Sequence, residues 1–519
     1  MHVEDQDNVI ALLSRPDTYA ARTGATGTTV DLVETHVSVV FLTQDRAYKL
    51  KRSVVFPYLD FSTADRRRRF CEAEVRFNSR TAPGIYLGVV PVSRNNDGGL
   101  ALDGDGEPVD WLVEMRRFDE DTLFDRLADR GVLDRYAMED LGDSIARFHY
   151  DAERLTDAGG RDATAAIIAN NEQSFAEIPP GLLDADAVER VTAASRRALD
   201  ACGALLDRRR ADGLVRHCHG DLHLRNIFLY EGRATLFDAI EFNEDFANID
   251  VLYDLAFLIM DLDCREFRDL ASILLNRYLD VTGDAEGLAA LPLFLSMRAA
   301  VRSHVDAMAC TDQSDAHEAG VLRDRARHYL EKAEEYLAPA EPMLVAMGGL
   351  SGSGKSRLAR EFAASLAPAP GARVVRSDST RKRIAGAPLG SRLGPGGYTP
   401  EMTNRTFEAV YEEARVALAA GHSVIADTVF AGPQQRAAIA RVAEDAGVPF
   451  QGFWLEAQPD IMMERVTNRK RNVSDATAPI VRMQLEYELG DIDWHRIDSS
   501  GSKENTMRQC VKVMDRLRV

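Results

Sequence analysis

The first stretch with a clear pattern of hydrophobic and polar positions is VSVVFLTQDRAYKLKR, residues 37–52, within a region of strand-like alternation at 30–60. Two β-rich runs flank a polar TQDR, and this pattern predicts a hairpin. The spacing then predicts a helix over 63–80, with Thr63 as its cap. YLGVVPV and VDWLVEMRRF read as two further strands. From about 120 to 210 the period is helical, broken by polar residues near 157–161 and by Pro179–Pro180. HCHGDLHLRNIFL and ATLFDAIEF return briefly to strand and loop, and residues 250–337 are helical again. APAEP, 338–342, ends that helix and reads as a linker.

Beyond the linker the pattern changes. MLVAM is a buried strand, followed by a glycine turn and a helix. RVVRSD, HSVIADTVF and PFQGFWLEA are three more strand candidates, separated by helical stretches. Strands alternating with helices predict a doubly wound parallel sheet. The expected organisation is therefore a region at 1–337, a linker at 338–342 and an α/β region at 343–519. No repeat of 20–50 residues and no low-complexity tract interrupts it.

Composition narrows the function classes. A chain of 519 residues exceeds one ordinary core. Its 45% hydrophobic and 28% charged shares are those of a folded protein without membrane spans, and no apolar run approaches the length of a span. The N-terminus, MHVEDQDNVIALLSRPD, is acidic and lacks the pattern of a secretion signal, so a cytoplasmic location is expected. Six scattered cysteines, with no CxxC pair, do not form a disulfide framework. A net charge of −19 weighs against a broad nucleic-acid or anionic-membrane surface, although RKR occurs at 381–383 and again at 469–471.

The chemistry is clearest at Gly349-Leu350-Ser351-Gly352-Ser353-Gly354-Lys355-Ser356, which fits GxxxxGK[ST] between a predicted strand and a predicted helix. Glycines let backbone N–H groups turn toward phosphate oxygens, and the helix N-terminus adds partial positive charge. Lys355 is expected on the β/γ-phosphates and Ser356 on Mg²⁺. Asp378 ends the second strand of this region, with Arg381 one helical turn later; Asp427 ends the third strand as a second metal candidate. Arg465, Arg469 and Arg471 lie on a helix and its exit, where cations can close over phosphates.

These features resemble the small P-loop kinases grouped with polynucleotide kinase, zeta toxin and gluconate kinase, over about 340–519. The resemblance implies that Asp378 activates the acceptor hydroxyl and that Arg381 holds the acceptor or its phosphate.

A second constellation lies in VRHCHGDLHLRNIFLYEGRATLFDAIEF, residues 215–242. His217, Cys218, His219, Asp221 and His223 crowd as metal ligands do. Alternatively, Asp221 and Asn226 are five apart, and Asp238 follows a strand, a Glu231-Gly232 turn and a strand. That second spacing suits a phosphoryl-transfer site, where Asp221 orients a hydroxyl and Asn226 and Asp238 hold Mg²⁺. His219 then braces the loop.

HGDLHLRN with a downstream LFDAIEF resembles the aminoglycoside phosphotransferase and fructosamine kinase-like family, over about 30–310. The resemblance implies a protein-kinase-like bilobal α+β domain ahead of the α/β P-loop domain. It implies that Lys49 contacts the α/β-phosphates and pairs with Glu72, with Lys51 and Glu74 as alternates. The adenine would be read near Glu114 and Met115. The chain departs from protein kinases in having ETHVSVVFL where a glycine-rich loop would stand: Gly24 and Gly27 fall too early, which leaves Thr35 and Ser38. Asp250 and Asp254 are expected to cap and anchor a buried helix. Asp119, Glu120 and Asp121 can cap a helix or line a site for amines.

The resulting expectation is a tandem kinase using ATP, or GTP, with Mg²⁺. Each half would phosphorylate a hydroxyl of a small molecule, sugar or aminocyclitol-like, with no membrane partner. The alternatives are a nucleic-acid 5′-hydroxyl kinase in the second half, or a nucleotide-binding regulatory domain attached to one active kinase.

Overall fold

The structure, a computed structural model, describes residues 3–20, 29–56, 59–468 and 473–516. Among the described residues no helix is long and apolar enough to cross a membrane. The chain forms two compact units, and they do not part at 338–342. One comprises 1–133, 147–159 and 209–254; the other comprises 134–146, 160–208 and 255–519.

The first unit is built on a six-stranded antiparallel sheet. Its order is Asp31–Glu34, Ser38–Leu42, Arg46–Lys51, Glu107–Arg116, Tyr86–Arg94, Leu100–Leu102. The predicted hairpin is its second and third strands, paired from Ser38 with Lys51 to Leu42 with Ala47. Period-two alternation in Arg46–Lys51 sends Tyr48 and Leu50 into an apolar core with Val39, Phe41 and Leu112. Lys49 and Lys51 consequently emerge on the other face. The helix Ala64–Asn78 packs there, capped by Thr63, whose hydroxyl accepts from the Arg66 N–H at 3.3 Å. Arg67 anchors this helix by a buried bidentate pair with Asp110 at 2.7 and 2.9 Å.

Two short antiparallel ribbons follow in the same unit. Val215–His217 pairs with Asn248–Asp250. Ile227–Tyr230 pairs with Arg233–Leu236 across a turn in which Glu231 has φ 49° and Gly232 φ 77°. The aromatic core beside this hairpin includes Phe228, which stacks on Phe118 at 4.1 Å.

The second unit contains the helices Arg268–Thr282, Leu291–Asp312 and Ala316–Tyr336 and a five-stranded, fully parallel sheet. The sheet order is Arg373–Arg376, Val424–Asp427, Leu344–Gly348, Phe450–Glu456, His495–Asp498. The central strands are buried along their length, as expected for a sheet covered on both faces. His495–Asp498 went unpredicted because three of its four residues are exposed and it has no apolar run.

Candidate active sites

In the first unit, the Lys49 ammonium donates to Glu74 Oε1 at 2.8 Å and to Asp238 Oδ1 at 2.6 Å. Lys51 donates to Glu74 Oε2 at 2.6 Å and also to Glu241. The expected partner Glu72 is a correction. It sits on the exposed face of its helix and pairs with Arg68 at 2.9 Å. Two residues along a helix turn the side chain by about 200°, so only one of Glu72 and Glu74 can face the sheet. Burial pushes the Glu74 carboxyl up, but Lys49 and Lys51 outweigh it and hold it down at about 2. Burial also pushes Glu241 up, only partly opposed by Lys51.

The hairpin brings the ends of its two strands together. The Phe237 N–H donates to the Asn226 carbonyl at 3.0 Å, which sets Asp238 beside the Asn226 loop. Asp238 has φ 60°, a left-handed conformation that aspartate tolerates better than most residues. Its backbone N–H donates to the Tyr86 hydroxyl at 3.1 Å. Asn226 Nδ2 donates to the Asp221 carboxylate and carbonyl, both at 2.9 Å. Asp221 is also 3.3 Å from His223 Nε2.

The loop itself is braced from beneath. The backbone N–H groups of His219 and Gly220 donate to the two oxygens of buried Asp254 at 3.1 and 2.8 Å. His149 reaches the same carboxylate at 3.1 Å. His219 Nε2 lies 2.9 Å from the Phe237 carbonyl, so this ring ties loop to hairpin; burial lowers its proton affinity. His217 packs on Phe77 and bonds Asn248, while burial pushes the Cys218 thiol up. These side chains do not converge as the crowded-ligand alternative requires. His149, Cys218 and Asp254 do come together in the core, with Asp254 already engaged by the loop. Asp250 pairs with Arg209 and caps the Leu252 N–H, as expected.

Other positions move the picture. Glu114 and Met115 lie inside a strand with partners on both sides, Tyr48 and Ala47 on one and Gly88 and Tyr86 on the other. The chain leaves the sheet only after Arg116, and the Arg117 N–H donates to the Asp45 carbonyl at 3.0 Å. Thr35 and Ser38 bond each other across a turn. Asp119 accepts from the Asp121 N–H and caps the short helix, while Glu120 pairs with Arg126 at 2.5 Å. Gly24 and Gly27 lie outside the described residues.

In the second unit, the 349–356 turn joins Leu344–Gly348 to the helix Lys355–Ala363. Gly349, Gly352 and Gly354 have φ 138°, 87° and 93°. A Cβ on Gly352 would lie 2.5 Å from the Met462 carbonyl oxygen, so only glycine keeps the turn closed against that helix. Lys355 and Ser356 are half-buried at the start of the helix. Ser353 is buried, with its hydroxyl unpartnered among the described residues. The Ser351 N–H is held by Gln484 Oε1 at 2.8 Å, a contact no motif announced.

Asp427 is 3% exposed, and its Oδ1 has no partner among the described residues; Arg376 approaches Oδ2 at 3.4 Å. Asp378 is half-buried in the first turn of the helix Ser377–Ile384. Arg381 is buried, donates to the Gly397 carbonyl at 3.0 Å and stacks over Tyr398. Arg465 donates to the carbonyls of Gly352 and Ser499, which places it at the glycine turn. Arg469 and Arg471 lie outside the described residues. The RKR run at 381–383 is no surface patch. Lys382 is buried against the Val473 carbonyl at 2.6 Å, and Arg383 pairs with Glu413.

One buried network had no sequence signature. Arg373 donates to Asp280 and Glu413, each at 2.7 Å, and to Asn276 at 3.1 Å. The second oxygen of Asp280 accepts from Ser379 at 2.7 Å, next to Asp378. The helix Arg268–Thr282 thereby grips the strand and helix that carry Asp378.

Comparison with known proteins bears on the two regions rather than on single residues. Residues 36–291 match the phosphotransferase enzyme family and residues 344–488 match an AAA domain. Both regions are kinase-type, and the protein is a kinase with a kinase-like fold followed by a P-loop domain. The chain belongs to the same family as an uncharacterised protein of Mycobacterium tuberculosis. The two are 31% identical over 497 residues, covering 93% of this chain and 95% of the relative. The adenylyl-sulfate kinase of Myxococcus xanthus is 32% identical over 118 residues, 22% of this chain and 59% of that protein. Among solved structures, a choline/ethanolamine kinase family protein from Mesorhizobium loti covers 65% of this chain and 99% of its own, at 13% identity and TM-score 0.37. A gluconokinase from Sinorhizobium meliloti covers 34% and 94%, at 19% identity and TM-score 0.25.

Proposed function

We propose that each kinase-type region carries its own triphosphate site and transfers a phosphoryl group to a hydroxyl of a small molecule, sugar or aminocyclitol-like. The residues present fit Mg²⁺ and a nucleoside triphosphate, ATP or GTP. The donors in the first unit are carboxylate and amide oxygens, the ligand type that Mg²⁺ prefers. In the second unit a glycine cradle stands beside Asp427, whose buried Oδ1 lacks a partner among the described residues. When bound, the metal and nucleotide supply the phosphoryl group and offset the charge that develops on it.

In the first unit Asp221 accepts the proton of the acceptor hydroxyl, held in orientation by the Asn226 amide at 2.9 Å. Asn226 and Asp238 would hold the metal. Lys49, anchored by Glu74, would grip the α/β-phosphates, and backbone from Arg117 onward would read the base. In the second unit the 349–356 backbone and Lys355 would hold the phosphates, with Ser356 and Asp427 on the metal. Asp378 takes the proton, Arg381 orients the acceptor, and Arg465 and Arg469 close over the phosphates. In this reading 338–342 lies between the two kinase-type regions in sequence, although not between the two compact units, and a cytoplasmic setting supplies the nucleotide.

The observation that carries the proposal is the convergence of Lys49, Glu74 and Asp238 at 2.6–2.8 Å next to the Asn226–Asp221 pair. A nucleic-acid acceptor in the second half loses one of its two supports, because the run at 381–383 is spent on internal contacts; the run at 469–471 lies outside the described residues. The test is a phosphorylation screen of a metabolite pool with wild type, Asp221→Asn and Asp378→Asn. Each variant should lose one product and retain the other. Full retention of all products in Asp221→Asn would reassign the first unit to a regulatory role.

A further inference from the structure

The second unit holds a small cleft, with a volume of about 30 Å³, between the helix Arg268–Thr282, the strand Arg373–Arg376 and the helix Lys355–Ala363. None of the residues assigned above to acceptor or triphosphate lines it. Its charged lining is Glu139, Arg277, Asp280, Arg360 and Arg376.

Two of those charges are already spent. Arg277 makes a bidentate pair with Asp143, both bonds at 2.6 Å. Asp280 gives one oxygen to Arg373 and the other to Ser379. Of the cations, Arg376 gives its Nε to Asp427 at 3.4 Å, outside the cleft lining, and Arg360 is left over. Arg376 is 7% exposed, and its Nη2 is buried without a partner among the described residues. Arg360, half-buried, makes no ion pair among the described residues. Burial, then the like charges of Arg376 and Arg135, pull its proton affinity down to about 10; Glu139 and Asp427 oppose them. Asp427 answers one edge of Arg376, but the buried Nη2 and the Arg360 guanidinium are left without an acceptor among the described residues, which is costly unless an anion joins them.

We infer that this cleft binds the phosphoryl group of a small molecule through Arg360 and Arg376. Guanidinium pairs favour planar, two-point contact with phosphate oxygens. Arg376 also lies against Asp427, so an anion here would sit one side chain away from the metal carboxylate. The site stands whether or not the second half phosphorylates a small molecule.

The test uses the full chain with both triphosphate sites saturated by Mg²⁺ and a non-hydrolysable ATP analogue. Calorimetric titrations with inorganic phosphate and with glycerol 3-phosphate, against chloride at equal ionic strength, read the site. At least one phosphate should bind, and Arg360→Gln should weaken it by about tenfold or more, since one of two cations is lost at short range. Arg360→Lys should retain most of the affinity. Glu139→Gln should tighten binding, a gain that misfolding cannot mimic. Binding of inorganic phosphate alone marks a free-phosphate site, and binding of glycerol 3-phosphate marks a phosphomonoester site. Titrations unchanged by Arg360→Gln, or indistinguishable from chloride, would overturn the inference.

Discussion

Glu74→Gln isolates the cluster at the centre of the first site. The side chain is fully buried, and each oxygen takes one lysine, at 2.8 and 2.6 Å. Glutamine keeps the shape and removes the charge. The carboxyl is held down from 4.5 to about 2, and at about 1.4 kcal/mol per tenfold in proton affinity this makes neutralisation in place cost about 3 kcal/mol. Part returns, because Glu241 ionises more readily once its neighbour is neutral. The net expectation is a loss of about 2–3 kcal/mol in urea unfolding. The sign with pH follows from the depressed carboxyl. Its contribution is complete above 4.5 and is lost as pH falls toward 2, so acid should narrow the gap between variant and wild type. Lys49 also loses one of its two anchors, so the KM for nucleotide in the first half should rise more than kcat falls. Glu72→Gln, on the exposed helix face, should change stability by less than about 0.5 kcal/mol. Equal behaviour of the two variants would refute the assignment of Glu74.

Asp280→Asn breaks the buried pair with Arg373 and the bond to Ser379, and should cost about 3 kcal/mol by urea unfolding, with loss of turnover at Asp378. Gly352→Ala puts a methyl group 2.5 Å from the Met462 carbonyl oxygen, and should abolish triphosphate binding at the second site only, read by calorimetry. Burial pulls His422 down to about 4 from 6.5, so the unfolded chain takes up its proton first. Stability should fall by up to about 3 kcal/mol as pH drops through that window. His422→Gln should flatten that part of the pH–stability curve.

The parts legible in the sequence were those with local spacing. Asp221, Asn226 and Asp238 come together because a hairpin of two four-residue strands with a Glu-Gly turn returns the chain to its start. The glycine turn at 349–356 announces itself because three of its positions need φ values few other residues adopt. Helix face was the weak point: 72 and 74 lie on opposite sides, and a helix with five arginines and few apolar residues gives no period to choose by. The lysine side was clearer, since strand alternation set 49 and 51 on one face. Long-range polar pairing left no trace. Asp254 beneath the 219–220 backbone, Gln484 on Ser351 and Asp280 on Arg373 join positions 34 to 133 residues apart. The run at 381–383 weighed toward a nucleic-acid partner because buried arginine and lysine are rare unless paired.

The most direct test of two separate triphosphate sites is the stoichiometry of Mg²⁺–ATP-analogue binding to the full chain, measured by equilibrium dialysis. Two molecules should bind per wild-type chain, one to Lys355→Ala, one to Asp238→Ala, and none to the double variant. A single bound molecule in wild type, or two retained in Lys355→Ala, would contradict the account.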